Sequence, residues 1–215
     1  GNVLLNDFSI TIHPGEKVAF VGMEHNSITS FFDIVSETKK PDSGTYSWGQ
    51  TTSHSYMGRD NSAYFNNELT ITDWLKQYSP DQDDAYVRGF LGRMLFSGDD
   101  GLKKVKVLSG GEKVRCMLSK MMLSGANVLI LDDPTNHLDL ESIESLNEGL
   151  VKFPGVVMFS SHDHEFISTI ANRIIEITPK GIIDRMMNFD DYLKDDQVKQ
   201  LRKEYYAGLN KKIRI

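Results

Sequence analysis

Two adjacent carboxylates at the end of a short apolar run are the first residues in the chain that could do chemistry. Residues 128–131 are branched and apolar, and Asp132 and Asp133 follow them directly. Two carboxylates at the end of a buried strand are costly unless a cation or hydrogen-bond donors offset their charge. Beside phosphates the usual cation is Mg²⁺, held partly through water. The pair therefore indicates a metal site next to a phosphate.

The stretch LSGGE at residues 108–112 is a second candidate site, because a helical pattern follows it. A helix N-terminus presents free N–H groups and a partial positive charge, so it attracts anions. Gly110 and Gly111 let another backbone approach closely, and Ser109 adds a hydroxyl donor. We interpret these residues as a phosphate-binding device. The apolar face of the helix is ordinary core, formed by Val114, Met117, Leu118, Met121 and Met122.

The stretch VAFVGMEHNSITS at residues 18–30 raises the question of a third site. A phosphate-binding loop reads G-x-x-x-x-G-K-[ST] after a buried strand. Here Gly22 and Thr29 match that pattern, whereas Ser27 and Ile28 stand where the second Gly and the Lys belong. From the residues alone, this is either a nucleotide loop that lost parts or a chance likeness.

Three short apolar runs are the elements that would position these residues. The runs cover residues 18–21, 128–131 and 156–159, and each ends in small or polar residues. Their length and branched composition are typical of buried strands. In open parallel α/β sheets, ligands bind outside the carboxyl ends of the strands. Most strands end in polar residues, however, so this spacing alone does not exclude three ordinary strand ends.

The remaining patterns predict further helices and strands. Residues 69–78 and 85–96 are predicted helices of a helical insertion that spans about residues 67–107. Residues 173–178 predict another strand, followed by a turn at 179–181. A helical pattern resumes near Asp190 and continues into a basic tail, which we expect to be a solvated helix or a frayed end.

Composition limits the class of protein. The chain has 215 residues, which fits one large domain or a core with a smaller insertion. No apolar run approaches the ~18 residues that span a bilayer, and no secretory signal is visible. The single Cys116 fits a reducing compartment, so we expect a cytoplasmic protein. The net charge of −6 argues against a protein that coats nucleic acid overall.

The combination of LSGGE with LDDPTNHLD at residues 131–139 resembles the ATP-binding cassette (ABC) ATPases. The PTNHLD motif resembles that of the ABC-F subfamily, whose soluble members have two cassettes in one chain. SSHDHEF at 160–166 resembles the switch-histidine loop, and PDSGTYSWG at 41–49 resembles the early β-subdomain. The likeness runs from about Leu5 to Tyr192.

The resemblance implies an α/β fold, that of a P-loop-type ABC nucleotide-binding domain. We expect a parallel core sheet, an antiparallel β-subdomain and the helical insertion within residues 1–192. A basic helical extension would follow over residues 193–215. The implied cofactors are ATP and Mg²⁺.

The resemblance also implies roles for single residues. Asp132 resembles the strand-end Asp that holds Mg²⁺ through water, and Thr29 would be a second metal ligand. Asp133 stands where the family usually has a Glu that polarises the attacking water. Asp is one methylene shorter, and a misplacement of ~1 Å can cost about 100-fold in rate. His162 resembles the switch histidine that contacts the γ-phosphate, and Asp133 and His162 are thus the expected catalytic residues.

Two groups of residues would contact nucleotide. The group at the chain's own site is Gly22, Asn26, Ser27, Ile28, Thr29, Ser30 and Arg59. The group that contacts ATP held by an opposite cassette is Ser109, Gly110, Gly111 and Glu112. The segment 136–139 resembles the loop that couples the two cassettes.

The chain departs from the family in its own loop. Ile28 cannot neutralise phosphate as a Lys does, a loss of roughly 1.5–3 kcal/mol. Glu24 adds a like charge, and Ser27 replaces a Gly that permits unusual backbone angles. Arg59 falls where a Gln is expected and could supply positive charge to a phosphate. Ile28 belongs to a helical apolar stripe and is expected to pack, together with Phe31, Phe32 and Val35.

Two functions remain open at this point. In the first, the chain is half of an ATPase, the second cassette of a longer tandem protein, with a degenerate loop and an intact signature that serves its partner. The ABC-F resemblance implies that the ATP hydrolysis of such a protein is coupled to the ribosome and translation. In the family, an aromatic residue that stacks on adenine lies on a strand before LLNDFSI. The sequence begins after that position, so we expect it to be a fragment of a longer protein. In the second, the chain is an adapter that binds the ribosome or RNA without nucleotide chemistry. A transporter motor is disfavoured by the TNHLD wording and by the lack of membrane segments.

Overall fold

Six strands form one sheet in the computed structural model, which describes residues 4–5, 9–136 and 138–207. Five strands run parallel in the order β2-β3-β4-β1-β5, and β6 pairs with β5 in antiparallel fashion at the edge. The strands are β1 (Lys17–Gly22), β2 (His54–Met57), β3 (Val128–Asp132), β4 (Val156–Ser160), β5 (Arg173–Thr178) and β6 (Gly181–Arg185).

Eight α-helices surround this sheet within the described residues. Three short 3₁₀ helices at Ser62–Phe65, Asp100–Leu102 and Val105–Val107 lie between α1 and α4 along the chain. The α-helices are α1 (His25–Val35), α2 (Ile71–Lys76), α3 (Asp84–Arg93), α4 (Gly110–Leu123), α5 (Leu140–Lys152), α6 (His164–Ile170), α7 (Phe189–Lys194) and α8 (Asp196–Tyr205).

The three apolar runs found in the sequence are neighbouring strands, as predicted. β3, β4 and β1 lie side by side, and every residue of β3 and β4 is buried. Successive side chains of a strand point to opposite faces, so the sheet has two apolar layers. Phe20 and Ile130 pack with α1 on one face, while Ala19 and Leu129 belong to the layer that α4, α5 and α6 complete.

The helical insertion contains shorter helices than predicted. α2 and α3 replace the predicted helices 69–78 and 85–96. Their N-termini are capped, because the side chain of Thr70 accepts from the Asp73 amide and that of Asp83 from the Tyr86 amide. α3 ends early because Leu95, two residues beyond it, adopts a positive φ of 57°, which no helix continues.

The segment 41–49 does not form the antiparallel strand that was expected. Within the described residues it has no assigned strand, and β5–β6 is the one antiparallel strand pair. The Trp48 indole donates to the Val35 carbonyl at 3.0 Å and its ring stacks on His54. The segment therefore packs as a loop against the end of α1. A cavity of about 840 Å³ separates it from residues 9–12.

The C-terminal helices are anchored to the sheet by one face, while the charged face of α8 is exposed, as expected for a solvated helix. Glu176 on β5 is 1% exposed, and its carboxylate accepts bonds from three side chains of the C-terminal segment. The donors are the Tyr192 hydroxyl at 2.5 Å, the Tyr206 hydroxyl at 2.8 Å and Arg202 at 3.1 Å. Residues 208–215, with the last three basic residues, lie outside the described residues. In the part of the chain that is described, no helix is long and apolar enough to cross a membrane.

Arg202→Met should destabilise the protein, because it removes the cation that faces the buried Glu176 carboxylate. We expect the free energy of unfolding to fall by about 3 kcal/mol, measured by denaturant titration. Lys203→Met, at the next and exposed position of α8, is the matched control and should change it little. Equal effects of the two substitutions would mean that the tail does not anchor through Glu176.

Candidate functional site

The carboxyl ends of three neighbouring strands bring the predicted chemical groups together. β1 ends at Gly22 and leads into α1, β3 ends at Asp132, and β4 ends at Ser160. The sheet register pairs Asp132 with Ser160, and Ser160 with Phe20. The parallel arrangement thus places the loop before α1, the two carboxylates and the His162 loop at one edge of the sheet.

Asp132 is the centre of a hydrogen-bond cluster and is 1% exposed. Its Oδ1 accepts from Ser160 Oγ and from His25 Nε2, each at 2.9 Å, and its Oδ2 accepts from Thr29 Oγ1 at 2.7 Å. Burial raises the pKa of Asp132, but the bonds from His25, Thr29 and Ser160 together lower it by more than burial raises it. The net pKa of Asp132 therefore lies below the usual value. Because the carboxylate is ionised, His25 Nε2 must be the donor.

Asp133 lies beside this cluster in a strained backbone conformation. Its φ is 53°, which is uncommon for a residue with a side chain. Its amide donates to Ser160 Oγ at 2.9 Å, and its Oδ2 accepts from Arg59 Nη2 at 3.2 Å. Arg59 therefore points at the carboxylate that was expected to polarise water. The positive charge that could have faced a phosphate faces Asp133 instead.

The loop between β1 and α1 is too short to surround a phosphate. Only Met23 and Glu24 separate Gly22 from the start of α1 at His25. The Ser27 amide already donates to the Glu24 carbonyl at 2.9 Å, so it is not free for an anion. Gly22 itself has a packing role, since a Cβ there would lie 2.5 Å from the Ile177 carbonyl oxygen on β5.

Other residues of the predicted nucleotide set lie on α1. The Ile28 side chain is 2% exposed and packs in the apolar layer with Phe20 and Phe32, so this side chain does not face a nucleotide. This confirms that Ile28 packs, whereas a contact of its backbone with nucleotide stays a prediction. Ser27 is buried, Asn26 is exposed, and Ser30 is half-buried.

His162 is exposed and joins the cluster through a ring contact. Its ring centroid lies 5.4 Å from that of His25, with the ring planes inclined by 34°. His162 thus lies near the groups that were predicted to face a metal and a γ-phosphate. The loop that holds it is fixed by Ser161, whose hydroxyl bonds with Thr135 at 2.8 Å.

The signature residues form a separate feature at the N-terminus of α4. Ser109 Oγ accepts from the Glu112 amide at 3.2 Å, and the Glu112 carboxylate accepts from the Ser109 amide at 2.8 Å. Glu112 also pairs with Lys103 at 3.0 Å. Partial burial raises the pKa of Glu112, but the bond from the Ser109 amide and the Lys103 charge lower it more, so the net pKa lies below the usual value. Its carboxylate therefore serves as a helix cap, and a contact of Glu112 with a partner's nucleotide stays a prediction.

Glycines keep this helix terminus close to α5 and open to solvent. A Cβ on Gly111 would overlap the Ser142 side chain, so only glycine fits there. Ser109 and Gly110 are exposed. No hydrogen bond or ion pair within the described residues joins them to the Asp132 cluster. His137 of the predicted coupling segment lies outside the described residues.

Two residues of the cluster were missed by the sequence analysis. Ser160 could have been found, because it directly follows the third apolar run and its register places it beside Asp132. His25 carried no comparable signal. Its position depends on α1 beginning three residues before the site of the missing Lys, which the loop pattern did not indicate.

As these residues stand, they do not fit a Mg²⁺ ion at Asp132. Asp132 Oδ1 already accepts two bonds, from His25 and Ser160, so a metal-bound water could bond to this oxygen only if one of these donors left. The Thr29 bond is compatible with a metal, because a hydroxyl can donate its proton and still offer a lone pair. His25 is the group that stands in the way.

Comparisons with known proteins place the chain in a family. A family model described as ABC transporter matches residues 5–136. The uncharacterized ABC transporter ATP-binding protein YkpA of Bacillus subtilis is 56% identical over 209 residues, 96% of this chain and 39% of that protein. The probable ATP-binding protein YbiT of Escherichia coli O157:H7 is 43% identical over 192 residues, 89% of this chain and 36% of that protein.

A further relative and a solved structure give the same picture. The energy-dependent translational throttle protein EttA of Escherichia coli K12 is 32% identical over 194 residues, 88% of this chain and 35% of that protein. The chain thus spans less than two fifths of the length of these curated relatives. The dimeric structure of MJ0796, a bacterial ABC transporter cassette, matches 86% of this chain and 91% of that chain, with a TM-score of 0.69 and 17% identity. This last likeness concerns the fold alone.

Asp132→Asn should remove a pH-dependent part of the stability. The folded-state pKa of Asp132 is lowered, so its contribution is present above the unfolded pKa, near 4, and is lost as pH falls through the folded value. We expect wild type to exceed Asp132→Asn in free energy of unfolding at roughly pH 5 to 7, and the difference to shrink below about pH 4. Denaturant titrations at several pH values measure this.

The exposed Glu148→Gln on α5 is the control and should change the stability little at neutral pH. A difference between wild type and Asp132→Asn that stays constant down to about pH 3 would show that Asp132 is not held ionised by its three donors.

Proposed function

We propose that this chain, which belongs to the ABC transporter family of ATP-binding cassettes, is one half of a two-cassette ATPase. In this proposal its own nucleotide site is degenerate, and its signature completes the site of a second cassette that holds ATP and Mg²⁺. The observation that carries the proposal is the contrast between an exposed N-terminus of α4 and a carboxylate cluster that is bonded internally.

The N-terminus of α4 supports action on a partner's nucleotide. Ser109 Oγ accepts one bond from the Glu112 amide, and its own proton remains free to be donated. Gly110 is exposed and has no side chain that would keep a phosphate away from the backbone. A γ-phosphate placed there would meet the partial positive charge of the helix end. Gly111 fixes the terminus against Ser142 on α5.

The chain's own loop supports the degenerate half of the proposal. Two loop residues precede α1, and the buried Ile28 leaves no lysine to face the β- and γ-phosphates. Asp133 is paired with Arg59, so its Oδ2 already accepts a guanidinium bond and is less available to an attacking water. We therefore expect weak ATP binding and little hydrolysis at this site.

The translation part of the proposal rests on relatives. EttA, which is named a translational throttle protein, is 32% identical, and the PTNHLD wording resembles the ABC-F subfamily. We accordingly propose the ribosome as the partner of the whole protein, which would place its action in the cytoplasm. The second candidate is an adapter without nucleotide chemistry. The internally satisfied Asp132 cluster favours it, while the open signature favours the ATPase.

Ser109→Arg in the full-length protein should abolish ATP turnover, because it places a bulky cation where the helix end must approach a phosphate. We expect ATPase activity to fall below about one hundredth of wild type. Asp133→Asn should change activity by less than about twofold, because it alters only the degenerate site. Steady-state phosphate release measures both variants.

Ser124→Arg, at the exposed opposite end of the same helix, is the matched control and should keep full activity. Equal losses in Ser109→Arg and Asp133→Asn would contradict the asymmetric sites. Full activity in both would contradict the ATPase proposal and favour the adapter.

A further inference from the structure

We propose that His25 and Arg59 are built-in replacements for the divalent cation at the end of β3, and that their contacts keep Mg²⁺ out of this site. The inference rests on the proposed degenerate site and names the groups that close it. The missing Lys explains why phosphate is held poorly there. It does not explain why the two carboxylates should reject a metal.

His25 occupies the accessible side of Asp132. Of the three donors, Ser160 is buried between β3 and β4, and Thr29 can stay in place beside a metal. The His25 ring is 17% exposed and is held at 2.9 Å from Oδ1. His162 covers a further side of the same ring, with 5.4 Å between the centroids. A hydrated Mg²⁺ can use Oδ1 of Asp132 only when His25 has left, because the other donor to this oxygen, Ser160, is 1% exposed.

Arg59 plays the corresponding part at Asp133. The Asp133 side chain is 5% exposed, and Arg59 Nη2 lies 3.2 Å from its Oδ2. A guanidinium remains charged at any physiological pH, so it repels a second cation at short range. The family pattern has an uncharged Gln at this position. The chain therefore places a donor on each of the two carboxylates that would otherwise attract a metal.

The early start of α1 explains how the replacement is built. The helix begins at His25, so the imidazole projects from the first turn toward the end of β3. Ile28, one turn later, points into the apolar layer and cannot do this. Asp132 and Asp133 thus accept bonds from side chains of the chain itself.

The double variant His25→Ala/Arg59→Gln tests the inference by metal binding alone. Mn²⁺ is titrated into this chain, and free Mn²⁺ is followed by electron paramagnetic resonance. Wild type should bind with a Kd weaker than about 1 mM, and the double variant should bind at least about tenfold tighter. Adding about 10 mM Mg²⁺ should raise the Tm of the double variant and leave that of wild type unchanged.

Two controls tie the gain to these carboxylates. His164→Ala removes another exposed histidine that pairs with an aspartate, Asp190, and should bind Mn²⁺ no better than wild type. Asp132→Asn added to the double variant should abolish the gain. Circular dichroism verifies that each variant is folded.

The inference is overturned if wild type binds Mn²⁺ as tightly as the double variant, or if the folded double variant gains nothing. Should the double variant not fold, His25→Ala alone decides, because it frees Oδ1 of Asp132 and should still tighten Mn²⁺ binding severalfold. The readout involves no partner cassette. A negative result of the Mn²⁺ titration therefore does not affect the Ser109→Arg test of the proposed function. A negative result of the Ser109→Arg test likewise does not affect the Mn²⁺ titration.

Discussion

The buried charge of Asp132 is the constraint on which the site depends. A carboxylate that is 1% exposed needs donors from the protein, and each of them comes from a different element. β4 supplies Ser160, while the first and second turns of α1 supply His25 and Thr29. The strand order that puts β3, β4 and β1 side by side is thus also what makes the charge tolerable. Removing any one donor leaves the buried carboxylate with two hydrogen bonds instead of three.

Close backbone approach is the second constraint, and it acts at two glycines. Gly22 lets β1 lie against the Ile177 carbonyl, which sets where the chain can turn into α1. Gly111 lets the first turn of α4 lie against Ser142 at the start of α5. Both glycines belong to patterns that indicate phosphate binding, yet each also has a packing role. A glycine in such a pattern therefore does not by itself establish that phosphate is bound.

The sequence predicted the core better than the loops, for physical reasons. The buried strands were predictable because parallel strands covered on both faces consist of continuous apolar runs. Asp132 was predictable because two carboxylates after such a run need an explanation. His25 was not, since the start of a helix after a degenerate loop depends on tertiary packing. The prediction of an antiparallel strand in segment 41–49 was wrong for a similar reason. Its Trp48 indole donates to the Val35 carbonyl, and the segment packs on α1 instead of pairing with a strand.

The basic tail is a second case in which tertiary contacts could not be predicted from the sequence. Charge composition suggested a solvated helix, but composition does not show what a buried acid elsewhere requires. Glu176 on β5 needs donors, and Tyr192, Arg202 and Tyr206 provide them. The pKa of Tyr192 is raised by burial and by the Glu176 charge, so its hydroxyl remains a donor. A charged helix can thus be an anchor when the sheet contains its counter-charge.

The N-termini of α1 and α4 use their first side chains in different ways. The N-terminus of α4 is closed by the Ser109–Glu112 capping box, in which the amide of each residue donates to the side chain of the other. α1 has no side-chain cap at Glu24, and its first side chain, His25, turns to the Asp132 carboxylate. The capping box uses side chains of α4 itself and leaves Ser109 and Gly110 exposed. In α1 the first side chain instead holds the buried Asp132 carboxylate, so the His25 imidazole is committed within the chain.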